Sequence, residues 1–167
     1  MYQPGEMIFY SGEGVCRVEA VGPVDVSADK QKLYYTLQPL YRQGKIFIPV
    51  DSPVLSRPVI TRQQAEDLLR RIPSIQAEIY ENRNLRMLNE HYQALMQTRD
   101  CEDMLQLIRS VYIKQQELKA QGKKPGLVDE RYMKRAEDLL YGELAVALNI
   151  PKESVLDHIT SVIEAGE

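Results

Sequence analysis

Tryptophan is absent from this chain, and cysteine, histidine and phenylalanine occur only twice each. Cys16 and Cys101 stand far apart with no CxxC pair, and only His91 and His158 are available beside them. The spacing of a zinc site is therefore missing and no metal is expected. Distant free thiols suit a reducing compartment, and the cytoplasm is the expected location. A basic excess is also missing, since 21 Lys and Arg against 24 Asp and Glu leave a net charge of −3. That excludes holding nucleic acid by bulk electrostatics, so any such contact has to be local or assisted. No run approaches the roughly 18 apolar residues of a membrane span, and the first residues lack the basic-then-apolar order of a signal peptide; neither membrane insertion nor secretion is expected. P-loop, Rossmann, HExxH and nucleophile-elbow patterns are lacking too, and Gly12-Glu13-Gly14 has neither a third glycine nor a βα context. Neither histidine has a sequence partner for general-base work, so the chain is expected to be no enzyme and to need no cofactor.

What is present divides into unlike halves. Met7–Tyr10, Val15–Val21, Leu33–Leu40 and Lys45–Val50 are short β-rich runs separated by glycine and polar turns, the pattern of a small antiparallel barrel. Tyr34-Tyr35-Thr36-Leu37 alternates as a half-buried strand does, and Arg42-Gln43-Gly44-Lys45 reads as a hairpin turn into Ile46-Phe47-Ile48-Pro49. Pro49 donates no ladder bond and belongs at an edge or a strand end. Residues 51–58 carry two prolines and two serines and read as a connector. The expected division is a β domain over 1–54 and a helical domain over 55–167.

After Thr61 the period changes to that of helices. Thr61-Arg62-Gln63-Gln64 has capping-box form ahead of Ala65, Leu68 and Leu69, and Ile72-Pro73 should end that helix. Helical spacing recurs over Leu85–Met96, over Met104–Tyr112 and over Asp129–Leu148. Pro151 suits the first position of a final helix that runs to Ile163. The fold class expected is α+β, a small barrel followed by an all-α bundle of four to five helices.

Two surfaces stand out for binding. An exposed edge strand pairs readily with a partner strand, and the candidates for such a contact are Tyr34, Tyr35, Leu37, Phe47 and Pro49; alternation sends about half of them into the domain's own core. In the helical half, Arg83 and Arg86 lie one turn apart, while Lys123, Lys124, Arg131, Lys134 and Arg135 gather around a loop and the start of the third long helix. They suit a grip on phosphates, weak because the contacts are few and salt-sensitive because each neutralised phosphate releases counterions. On the spacing alone the favoured reading is that Lys134 and Arg135 do no more than balance Glu130, Glu137 and Asp138 one turn away.

The opening Tyr2-Gln3-Pro4-Gly5-Glu6-Met7-Ile8-Phe9-Tyr10, a glycine turn and a second apolar strand resemble the start of CarD-like bacterial transcription regulators. Ile46-Phe47-Ile48-Pro49-Val50, the run from Asp103 to Tyr112 and the run from Asp129 to Ala145 are similar to that family in the same order. The resemblance implies a Tudor-like barrel that docks on the RNA polymerase β subunit, followed by a helical domain that touches promoter DNA and modulates open-complex stability. It implies no enzyme activity. Nothing in the sequence demands an oligomer, and a monomer is expected. Arg131 and Arg135 match basic positions of the DNA-facing helix, and Arg83 and Arg86 match approximately. Two features depart from the family. Tyr80 or Asn82 lies where well-known members carry a tryptophan wedge, and Val24 and Phe47 stand where some members carry polymerase-contacting arginines. A non-DNA-binding adaptor, whose helical half binds another protein, is the alternative that the missing tryptophan favours.

Overall fold

The computed structural model describes residues 1–25, 27–53 and 56–165, without the side chains of 163–165. The chain forms two compact units, Met1–Thr61 and Arg62–Glu167.

In the first unit the four expected strands form close to their expected bounds: β1 Met7–Tyr10, β2 Gly14–Gly22, β3 Tyr34–Pro39 and β4 Ile46–Pro49. A fifth, β5 Ser56–Pro58, arises within the stretch read as a connector. It pairs antiparallel with β1, Phe9 opposite Arg57, which carries the sheet unit on to Thr61. The division expected between 54 and 55 itself lies outside the described residues. Strand order is β4-β3-β2-β1-β5 in one antiparallel sheet. The expected barrel is thus an open sheet among the described residues. Its outer strands are only four and three residues long, and each ends in a proline that donates no ladder bond.

The hairpin expected at Arg42–Lys45 joins β3 to β4, with Gly44 at φ +96°, a left-handed conformation that glycine alone enters at little cost. One sheet face is the core: Ile8, Cys16, Val18, Tyr35, Leu37 and Ile48 pack together. A bulge between Val18 and Ala20 breaks the β2/β3 register beyond that core, and Glu19 there accepts from Lys45 Nζ at 3.0 Å.

Among the described residues the second unit contains five α-helices: α1 Arg62–Arg71, α2 Leu85–Gln97, α3 Cys101–Ala120, α4 Leu127–Leu148 and α5 Val155–Ala165. Asn84 and Asp100 cap α2 and α3, their side chains accepting from the backbone N–H groups of Arg86 and Glu102. Ile72-Pro73 ends α1 as expected, in a 3-10 turn. Pro151 instead precedes a 3-10 turn over Lys152–Ser154, after which α5 begins. Apolar stripes interlock in the core, with Leu69, Met104, Leu107, Val111, Leu140, Leu144 and Val155 almost fully buried. Ile163, expected on the apolar side of the last helix, lies outside the described side chains. No described helix is long and apolar enough to cross a membrane.

Candidate functional site

Each unit carries a candidate surface. In the sheet unit, alternation sorts the six residues singled out in the sequence. Tyr35 and Leu37 point into the core, and the Tyr35 hydroxyl accepts the Tyr2 N–H at 3.0 Å. They shape the domain and are not available to a partner, which corrects their expected role. Val24, in the loop after β2, is buried as well, and its carbonyl accepts from Lys30 Nζ at 3.1 Å. Tyr34, Phe47 and Pro49 lie on the opposite, wet face. Tyr34 pairs with Pro49 and Thr36 with Phe47, and opposed residues of an antiparallel pair share a face. Phe47 is 40% exposed.

The backbone of β4 matters as much as its side chains. Val50 N–H donates to Leu33 O at 3.1 Å, and the register continues through Tyr35/Ile48 and Leu37/Ile46. Antiparallel ladders bond at every second pair, so residues 46, 48 and 50 face β3 while the N–H and C=O of Phe47 point off the edge. The carbonyl of Pro49 is taken by Ser52 N–H at 3.0 Å. At the other edge, the outward positions of β5 are Ser56 and Pro58; Pro58 has no N–H and its carbonyl accepts from Arg57 Nη1 at 3.2 Å. Of the two edges, β4 is the one that presents an unspent donor and acceptor beside exposed aromatic surface.

In the helical unit the segment 75–83, without helix or strand of its own, runs between the 3-10 turn after α1 and the cap of α2. Tyr80 is half-buried, its ring stacked on His91 with centroids 3.9 Å apart, and its hydroxyl accepts from Asn82 Nδ2 at 3.2 Å. Burial holds His91 below its ordinary pKa, against a weaker upward pull from Glu78, so the stacked ring is neutral at pH 7. Tyr80 is thus packed against a helix, whereas Arg83 is exposed.

Asn82, Arg83 and Lys123 line one open cleft of about 570 Å³ with Lys114, Glu81 and Glu117. Arg131, Lys134 and Arg135 are exposed along α4. Arg131 Nη2 donates to Asn89 Oδ1 at 2.9 Å, and Arg86 pairs with Glu90 at 3.2 Å. Asp138, one of the acids expected to balance α4, pairs with Lys152. Glu137 is raised from its ordinary pKa by burial. Lys134, with Arg83, Lys123 and Lys124, is an exposed cation without an ion pair among the described residues.

Sequence reasoning missed the charged centre of this unit. Lys114 Nζ lies 3.0 Å from Asp129 Oδ2 and donates to the Tyr80 carbonyl at 3.0 Å. Asp129 Oδ1 also accepts the Tyr92 hydroxyl, whose pKa is driven well up by burial first and by this bond and charge second. Both charges are buried. A signal for them exists: Lys114 continues the Leu107, Val111 stripe by one turn, and Asp129 precedes Tyr132 and Ala136 on the apolar side of α4. A charge on an apolar stripe demands a buried partner.

No curated protein matches this chain. A family model does: that of the CarD-like/TRCF RID domain matches residues 2–60, the whole of the five-stranded sheet. Domains of this class interact with RNA polymerase, and they are protein-interaction domains with no catalytic activity known. Residues 2–60, which fold as an open sheet with one apolar core face, are thus similar to a CarD-like/TRCF RID domain.

Proposed function

We propose that the chain is a non-enzymatic transcription regulator that docks on the RNA polymerase β subunit through β4 and contacts promoter DNA through its helical unit, changing the stability of the open complex. The observation that carries the first half is the unspent N–H and C=O of Phe47 beside its exposed ring, on a domain of the RNA polymerase-interacting class. A partner strand added there gains main-chain hydrogen bonds, while Phe47, Tyr34 and Pro49 supply the apolar contact that selects it. Apolar docking suits a chain with Phe47 where some relatives in the resemblance carry arginine.

The DNA half is supported by the exposed cations Arg83, Lys123, Lys124 and Lys134, together with Arg131 and Arg135 on α4. Against a net charge of −3 these give a weak backbone contact. Docking on polymerase offsets that weakness, because a tethered second contact forms at the effective concentration of the linkage rather than of bulk solution. The adaptor reading is favoured by a different observation: Ile79, Leu85 and Met87 are exposed around the same segment, an apolar surface that phosphates do not need.

Binding of the full chain and of its Phe47→Ala variant to the isolated β-subunit lobe tests the docking. Binding by the parent that Phe47→Ala weakens is expected; equal binding by both overturns the β4 assignment. Charge reversal at Arg131 and Arg135 separates the DNA reading, which loses promoter retention, from the adaptor reading, which keeps its partner.

A further inference from the structure

We propose that Lys114 is a positioning residue for the DNA contact of the helical unit, registering the Tyr80–Arg83 segment against the start of α4. The inference rests on the DNA reading given above. The segment after α1 is tied to one face of α3 in sequence: Arg109 Nη1 donates to Ile72 O at 2.7 Å and Gln106 Nε2 to Gln76 O at 3.4 Å. Ser110 Oγ then accepts Glu78 N–H at 2.9 Å, and Lys114 Nζ donates to Tyr80 O at 3.0 Å. Residues 106, 110 and 114 recur every four positions and so line a single helix face. Lys114 is the last of these ties before Arg83.

It is also the one that reaches a third element. The same ammonium meets Asp129 in the first turn of α4, and Asp129 accepts from Tyr92 on α2. Two residues beyond Asp129 stands Arg131, itself bonded to Asn89 on α2. Arg83 and Arg131 are therefore linked through one buried ammonium and its carboxylate, beside the contacts that Tyr80 and Arg131 each make with α2. Lys114 itself is buried and spends its charge on these partners. Removing it costs affinity by letting Arg83 wander, not by deleting a phosphate contact of its own.

The test uses the full chain, because Lys114→Met alone strands the Asp129 charge. The variant that removes both charges, Lys114→Met with Asp129→Asn, keeps an acceptor for Tyr92. Hydrogen exchange across residues 79–84 is read first, and then equilibrium binding to a fluorescein-labelled promoter duplex over a salt series. Arg83→Ala and Arg131→Ala are each measured in the parent and in the double variant. Faster exchange over 79–84 is expected in the double variant, with a slope of log affinity against log salt lower by about one. Arg83→Ala should then cost several-fold in the parent and nothing further in the double variant, while Arg131→Ala costs the same in both. A merely destabilised unit would not uncouple one arginine from the other. Unchanged exchange, or an Arg83→Ala effect equal in the two backgrounds, overturns the positioning role while leaving DNA binding intact. A parent chain that does not bind the duplex overturns the DNA reading, and the positioning role with it.

Discussion

The sheet unit and the helical unit bury different things. In the sheet unit the core face is apolar except for the Tyr35 hydroxyl, which is satisfied by a backbone N–H. All four buried polar or charged side chains among the described residues, Ser110, Lys114, Asp129 and Glu143, belong to the helical unit. The difference follows from what each surface has to hold still. A strand edge offers its own main chain, which the ladder already fixes, so an apolar core suffices. A surface made of side chains on a helix and an irregular segment needs specific bonds beneath it, and buried polar networks supply specificity at a cost in stability.

That contrast predicts how each unit breaks. Lys114→Met leaves Asp129 charged, buried and unpaired, and should lower the stability of the helical unit by about 3–5 kcal/mol. Urea unfolding measures it, and removing the Asp129 charge as well should recover a large part. Leu37→Ala empties a fully buried position of the sheet and should cost about 2–5 kcal/mol by the same assay. Any loss of polymerase binding in that variant should follow the unfolded fraction, since Leu37 touches no partner.

The edge itself can be tested with less disturbance. Phe47→Pro deletes an N–H that points away from β3, so the ladder survives while the donor offered to a partner strand is gone. Binding to the β-subunit lobe should weaken by more than about 1 kcal/mol, as should Phe47→Ala through loss of the ring, with little change in unfolding midpoint for the alanine variant. In the helical unit, Arg131→Glu with Arg135→Glu should leave folding intact and reduce the salt slope of duplex binding by about one per lost phosphate contact.

The smallest effect expected is a pH effect. The folded-state pKa of His91 is depressed chiefly by burial, so its contribution to stability is present above the ordinary value of 6.5 and is lost as the pH falls through the depressed folded value. An unfolding series toward acid pH should show a loss that His91→Phe removes, since phenylalanine stacks on Tyr80 without titrating.

The sequence was legible where the physics is local. The strand alternation of Tyr34–Leu37, the glycine hairpin at Gly44 and the helix stop at Ile72-Pro73 are each decided by a few neighbouring residues, and each forms. β5 was hidden because its three residues carry no period of their own and are a strand only by pairing with β1, almost fifty positions earlier. The candidate surfaces divide in the same way. That Phe47 and the cations of the helical unit were worth attention could be read from residue type and spacing. That Tyr35, Leu37 and Val24 are interior, and that Tyr80 is stacked on His91, could not.

By itself, then, the sequence determined the order of β then α, the helix stop at Ile72-Pro73, and a charge balance too acidic for unaided nucleic-acid binding. Tertiary structure alone decided that the sheet stays open, that the main chain of Phe47 is left unspent at its edge, and that Lys114 and Asp129 find each other inside the helical unit. The physical reason is distance along the chain. Periodicity and turn chemistry act over a handful of residues, whereas an edge exists only once every other strand has found its neighbour, and a buried charge is tolerable only once its partner has arrived from another helix.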